Sequence, residues 1–203
     1  MSVSQLLNEK VMSERFAALN ASVTSGAGFL PLFFFTSERN LSMNIHFYEV
    51  NAQYIDYLSA LEPHFFHNKR PSQQNERKYI GIILQVNGMN YFAPLSSFKS
   101  KHAKMNEGID FIKIKEYAVI NINNMFPVPE GLYTYIDIQK VKNDRYRALL
   151  QAEYRVIKKM RNRILKKANL VYHHRLERGS STPLGKRCHD FQNLEKACQN
   201  YHN

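Results

Sequence analysis

Tyr79-Ile-Gly-Ile-Ile-Leu-Gln-Val-Asn-Gly-Met-Asn-Tyr-Phe-Ala-Pro-Leu-Ser-Ser-Phe-Lys99 carries the architecture of this chain. Tyr79 to Val86 is an apolar run rich in β-branched side chains, the composition of a buried strand. Asn87-Gly88 follows, and both residues tolerate the positive φ that a two-residue hairpin demands. Asn90 to Pro94 is then the returning strand. An antiparallel pair therefore sits near the middle of the chain, and the rest is read outward from it.

Upstream, Met43-Asn-Ile-His-Phe-Tyr-Glu-Val50 is strand-like, and Ala52 to Leu61 has Tyr54, Tyr57, Leu58 and Leu61 at helical spacing behind Asn51 as N-cap. Glu62 to Glu76 reads as a polar loop. Downstream, Ser96 to Gly108 reads as a polar, lysine-bearing loop. Ile109 to Lys115 and Ala118 to Ile122 are two more strands, Phe126 to Gly131 a turn and Leu132 to Ile136 a short strand. From Asp144 to Asn169 the period changes to helical, with one apolar side and Arg147, Arg155, Lys158, Lys159 and Arg161 among the residues crowding the other. Arg178 to Gly185 reads as a loop and His189 to Tyr201 as a last helix. Strands first and helices after make an α+β class, with an antiparallel, partly closed sheet.

The first 42 residues look like an addition. Ser2 to Leu19 fits one amphipathic helix, Asn20 to Gly28 reads as a linker, and Met43 is a candidate initiator. Their basic residues, Lys10, Arg15 and Arg39, cancel against Glu9, Glu14 and Glu38. The whole formal charge of +11 therefore belongs to residues 43–203, and its sign calls for a polyanionic partner. No run approaches the ~20 apolar residues of a membrane span. Gly28 to Phe35 is too short for one, and a membrane-surface role for it is weakened by its distance in sequence from the basic tract. Two cysteines, Cys188 and Cys198, fit reduced thiols in the cytoplasm and lack common zinc spacing.

No phosphate-binding glycine loop, His-Glu metal motif or Ser-His-Asp order stands out. The acidic residues are scattered, which disfavours a two-metal nuclease. What remains is RNA cleavage without metal or cofactor, using the substrate's own 2′-hydroxyl. Ser96 and Ser97 could orient a phosphate, and Lys99 could offset the charge of its transition state. The same three residues also fit an ordinary polar turn. His102 lies nearby and titrates in the right range for proton transfer. His173 and His174 read as surface residues, Tyr54 and Tyr57 as core residues with a hydroxyl to spare, and Lys78 as a solvated charge.

In this order, several segments resemble the ToxN/AbiQ family of type III toxin–antitoxin ribonucleases. They are Ile45 to Tyr48 with Asn51 to Leu58, Lys78 to Leu84 with Tyr91 to Lys99, Asn124 to Pro129, and Cys188 to Glu195. The resemblance spans Met43 to about Tyr201. It implies a strongly bent antiparallel sheet related to the Kid/MazF toxins. It also implies a metal-independent endoribonuclease that leaves 2′,3′-cyclic phosphate and 5′-hydroxyl ends. The implied partners are a repeated pseudoknot RNA that inhibits the toxin and is processed by it, assembled with it in a closed ring, and cellular or phage RNA. The implied role is phage defence by abortive infection. Ser97 and Lys99 match the family's active-site pair. Ser96 stands where some members have Thr, Tyr54 matches a tyrosine near the site, and Lys78 matches a lysine of the RNA groove. Lys101, His102 and the basic helix become candidates for gripping RNA. The competing expectation is a non-catalytic basic RNA-binding protein.

Overall fold

The structure, a computed structural model, describes residues 45–62, 65 and 78–201. The expected N-terminal helix, its linker and the question of Met43 all lie outside these residues. Seven strands form one sheet: β1 (His46–Val50), β2 (Tyr79–Val86), β3 (Met89–Ser97), β4 (Phe111–Ile114), β5 (Ala118–Asn121), β6 (Phe126–Val128) and β7 (Tyr133–Tyr135). The order across it is β4-β5-β3-β2-β1-β7, with β6 also on β3, and every pair is antiparallel. The α+β class is therefore present, with a bent antiparallel sheet.

The hairpin forms as its sequence dictates. Asn87 and Gly88 take φ of 50° and 79°, and Val86 faces Met89. β3 is the hinge of the bend. Along one edge it pairs with β2. Along the other it pairs first with β6 at Asn90, Tyr91 and Phe92, then with β5 at Leu95, Ser96 and Ser97. Changing partners halfway lets the end of β3 leave the plane of its beginning. Helix α1 (Ala52–Leu61) starts at Asn51, whose side chain accepts the Tyr54 N–H at 3.1 Å, the cap read from sequence.

Several expected boundaries are corrected. The polar loop from Ser96 is a strand through Ser97 followed by helix α2 (Ser100–Lys104). The turn at Phe126 begins with β6, where Pro127 is tolerated because its strand is paired along a single edge. Helix α3 runs from Asp144 to Arg178, nine residues beyond the expected end at Asn169, and stops at Gly179 with φ 52°. The loop after it contains the short helix α4 (Pro183–Arg187), and α5 spans Phe191–Asn200. Both cysteines are free and buried, and burial pushes the Cys188 thiol up to about 12.

Leu150, Ile157, Ile164, Ala168 and Val171 recur at helical spacing and bury one side of α3 on the sheet. Each of the leucine, isoleucine and valine side chains, fully buried, contributes about 1.5–3 kcal/mol. Glu153 interrupts this stripe. It is 4% exposed, and burial pushes its carboxyl up from 4.5 to about 7. Between those pH values the folded chain holds a proton that the unfolded chain has released, so this group's contribution to stability falls as pH rises from about 4.5 to about 7 and then levels off. The full shift corresponds to roughly 3 kcal/mol. Glu153→Gln keeps the shape and removes the ionisation. It is expected to stabilise the chain by about 1–3 kcal/mol at pH 8 and by almost nothing at pH 4.5. Urea unfolding at the two pH values checks this. An equal change at both would show that the carboxyl is not desolvated.

Candidate active site

The end of β3 builds the site. Ser96 pairs with Val119 and Ser97 with Ala118, so neighbouring serines leave the strand on opposite faces. The Ser96 face holds a small open cleft of about 160 Å³, lined by Ser96, Lys99, Lys101, His102, Val119 and Asn121. That is below the usual size of a small-molecule pocket and suits a phosphoryl group better than a whole nucleotide. Asn121 Nδ2 donates to Ser96 Oγ at 3.4 Å, which occupies an acceptor of the hydroxyl and leaves its proton to point elsewhere. Ser97 is exposed on the other face at the same strand end, two residues from Lys99.

His102 fixes the backbone under Lys99. The N–H of Lys99 donates to His102 Nδ1 at 3.0 Å, and the Lys99 carbonyl accepts the His102 N–H at 2.8 Å. Phe98 and Phe111 close on the ring, with centroids at 5.7 and 5.8 Å. Burial, then the charges of Lys101, Lys99 and Lys113, hold its pKa below the usual 6.5. With Nδ1 accepting, the neutral ring keeps its proton on Nε2. Lys99 itself is exposed, in extended backbone (φ −127°, ψ 159°) just ahead of α2. Lys99, Lys101 and Ser96 therefore line one cleft, and their ammonium and hydroxyl groups are the donors a phosphate oxygen there would use.

The remaining candidates divide. Lys78 lies one strand over, its carbonyl accepting the Leu95 N–H at 3.0 Å, and its ammonium is paired with Glu49. Tyr54 is not brought to the cleft. It is fully buried, donates from its hydroxyl to the Pro127 carbonyl at 2.8 Å and packs against Tyr201 at 5.0 Å. The apolar spacing that puts Tyr54 on the inner side of α1 gives its hydroxyl an interior acceptor instead of a phosphate. On α3, Arg147 donates to Asp144 and to the Val141 carbonyl, closing the helix start, and Arg161 donates to Asn162. Arg155, Lys158 and Lys159 are exposed. His173 and His174 lie within α3, not after it. Sequence reasoning missed Asn121, because strand register alone brings it to Ser96.

The family model for the toxin ToxN of type III toxin–antitoxin systems matches residues 46–199. The chain belongs to the ToxN family. It is an endoribonuclease toxin of that kind, and the expectation of a non-catalytic RNA binder is set aside. It is similar to the endoribonuclease ToxN of Bacillus thuringiensis subsp. kurstaki, with 32% identity over 78% of this chain and 84% of the relative. It is also similar to the endoribonuclease AbiQ of Lactococcus lactis subsp. lactis, with 27% identity over 65% and 76%. A solved structure from a bacterial type III toxin–antitoxin system, described in terms of selective toxin inhibition by a non-coding RNA pseudoknot, superposes with a TM-score of 0.68 at 30% identity, over 78% of this chain and 98% of its own. The fold is shared as well with a solved lactococcal AbiQ, TM-score 0.67 at 23% identity, over 77% and 97%. In this ToxN-family chain the shared region takes in both the end of β3 and the basic helix.

Proposed function

We propose that the chain cleaves RNA without a metal ion at the end of β3, by attack of the 2′-hydroxyl on the adjacent phosphorus. A bond forms from O2′ to phosphorus and the bond to O5′ breaks. The 2′ proton departs, O5′ gains one, and the ends are a 2′,3′-cyclic phosphate and a 5′-hydroxyl. The observation that carries this is the convergence of Ser96, Lys99, Lys101 and His102 on one small cleft. Lys99 and Lys101 offset the negative charge that grows on the phosphorane. Ser96 faces the phosphodiester from within the cleft. Ser97, on the other face of the strand end, and Lys99 are the pair that the family resemblance singles out. His102 holds Lys99 in register through its backbone. Among the described residues no three His, Cys, Asp or Glu side chains gather in a group that could hold a metal ion.

The partner in this reading is a repeated pseudoknot RNA, whose precursor the toxin cuts and whose repeats hold it inactive in a protein–RNA ring. The inhibition by a pseudoknot is in keeping with the solved structure described in those terms. Lys78, Arg155, Lys158 and Lys159 are the phosphate-gripping candidates. The setting is phage defence in the cytoplasm, in keeping with the anti-phage description of the AbiQ relative. Among the described residues no helix is long and apolar enough to cross a membrane. Residues 43–203 form the nuclease domain, and the first 42 are an addition to it.

Incubating the purified protein with end-labelled RNA of varied sequence in excess EDTA tests the reading. Cleavage at full rate is expected. Activity that appears after magnesium or manganese is restored, and is absent before, would refute it.

A further inference from the structure

A row of aromatic rings runs from α3 across the free edge of the sheet. Tyr154 stacks on His46 at 5.7 Å with planes 17° apart, and its hydroxyl meets His46 Nδ1 at 3.3 Å. His46 meets Tyr135 edge-on at 5.2 Å. Tyr135 then meets Tyr48 at 6.1 Å, and Tyr48 packs on Phe92, which is fully buried, at 5.2 Å. The inner end of the row is thus anchored in the core. Its outer member, Tyr135, is 53% exposed and lies on β7, the last strand of the sheet. A large ring held this rigidly with half its surface in water has lost little freedom by the time a ligand arrives, which favours stacking.

Basic residues flank it on α3, one of them, Arg147, paired with Asp144. Tyr154 shares its face of α3 with Arg147, Lys158 and Arg161, at offsets of seven, four and seven residues. Lys158 is exposed and forms no ion pair among the described residues. An aromatic plate beside a stripe of cations is the arrangement that takes the π-face of a base and the phosphates on either side of it.

We propose that the Tyr135–His46–Tyr154 row is a stacking subsite for an unpaired base of RNA, separate from the cleft at the end of β3. The proposal rests on the RNA-cleaving reading above and names a part of the RNA that the cleft does not hold. It takes single-stranded segments and not duplex, since a paired base has no free face.

The test uses the full chain and two fluorescent 2′-O-methyl strands of equal length and charge, one an oligouridylate and one abasic. Neither has a free 2′-hydroxyl to attack. The wild type is expected to bind the base-bearing strand about tenfold more tightly than the abasic one. Tyr135→Ala is expected to erase that preference while leaving the salt dependence unchanged, because no phosphate contact is lost. Tyr135→Trp is expected to keep it, which also controls for folding. A Tyr135→Ala protein that still prefers the base-bearing strand by the wild-type factor overturns the subsite alone. A wild type that binds neither strand overturns the RNA reading and the subsite together.

Discussion

Lys99→Ala is expected to slow single-turnover RNA cleavage by about 10²–10⁴-fold and to abolish growth arrest, with RNA affinity within a few-fold of wild type. The size follows from what is lost. Lys99 lines the cleft, and its ammonium has most to do when charge builds on the phosphorane, less when the ground-state phosphate merely binds. The rest of the positive charge lies elsewhere, largely on α3, and continues to hold RNA. Rates and affinities measured on the same variant separate the two effects. A Lys99→Ala protein with wild-type cleavage would remove the cleft as the active site. Equal losses in affinity and in kcat/KM would make Lys99 a binding residue only.

Gly81→Ala is expected to cost about 3 kcal/mol or more, the upper end for overpacking, and to lower Tm by roughly 6–12 °C. Gly81 faces Phe92 across the β2–β3 ladder, and an added Cβ would fall inside the contact distance of the Phe92 ring at Cδ1 and Cε1. Phe92 has no room to retreat. It is fully buried and wedged against Tyr48 and Tyr133, with ring centroids at 5.2 and 4.8 Å. Calorimetry on the variant checks the claim. An unchanged Tm would mean that the ring can move aside and that the centre of the sheet is loosely packed.

Local signals were legible wherever the chain itself supplies the partner. Asn87-Gly88 sets the hairpin through two positive φ values, and Asn51 caps α1 through its own side chain. The apolar stripe of α3 shows in the sequence because it repeats every turn. Signals that depend on distant register were not legible. Ser96 and Ser97 look equivalent in a sequence, yet alternation sends one into the cleft with Asn121 and the other to the opposite face. Tyr54 looks like a spare hydroxyl until the carbonyl of Pro127, contributed by a strand that itself read as a turn, accepts its hydrogen bond. His102 read as a residue for protons or RNA. One of its ring nitrogens also accepts the Lys99 N–H, a contact that exists because Ser100 to Lys104 is a helical turn and not a loop. The aromatic row escaped notice for the same reason, since its members come from β1, β7 and α3.

The sharpest test replaces one atom of the substrate. Single-turnover cleavage is measured on an RNA cut at a single mapped position, and again with a 2′-deoxynucleotide on the 5′ side of the scissile phosphate. In-line attack by the ribose predicts a 2′,3′-cyclic phosphate on the all-ribose product and no detectable cut in the deoxy-substituted strand. Continued cutting of that strand, or a 3′-hydroxyl on the upstream product, would contradict it.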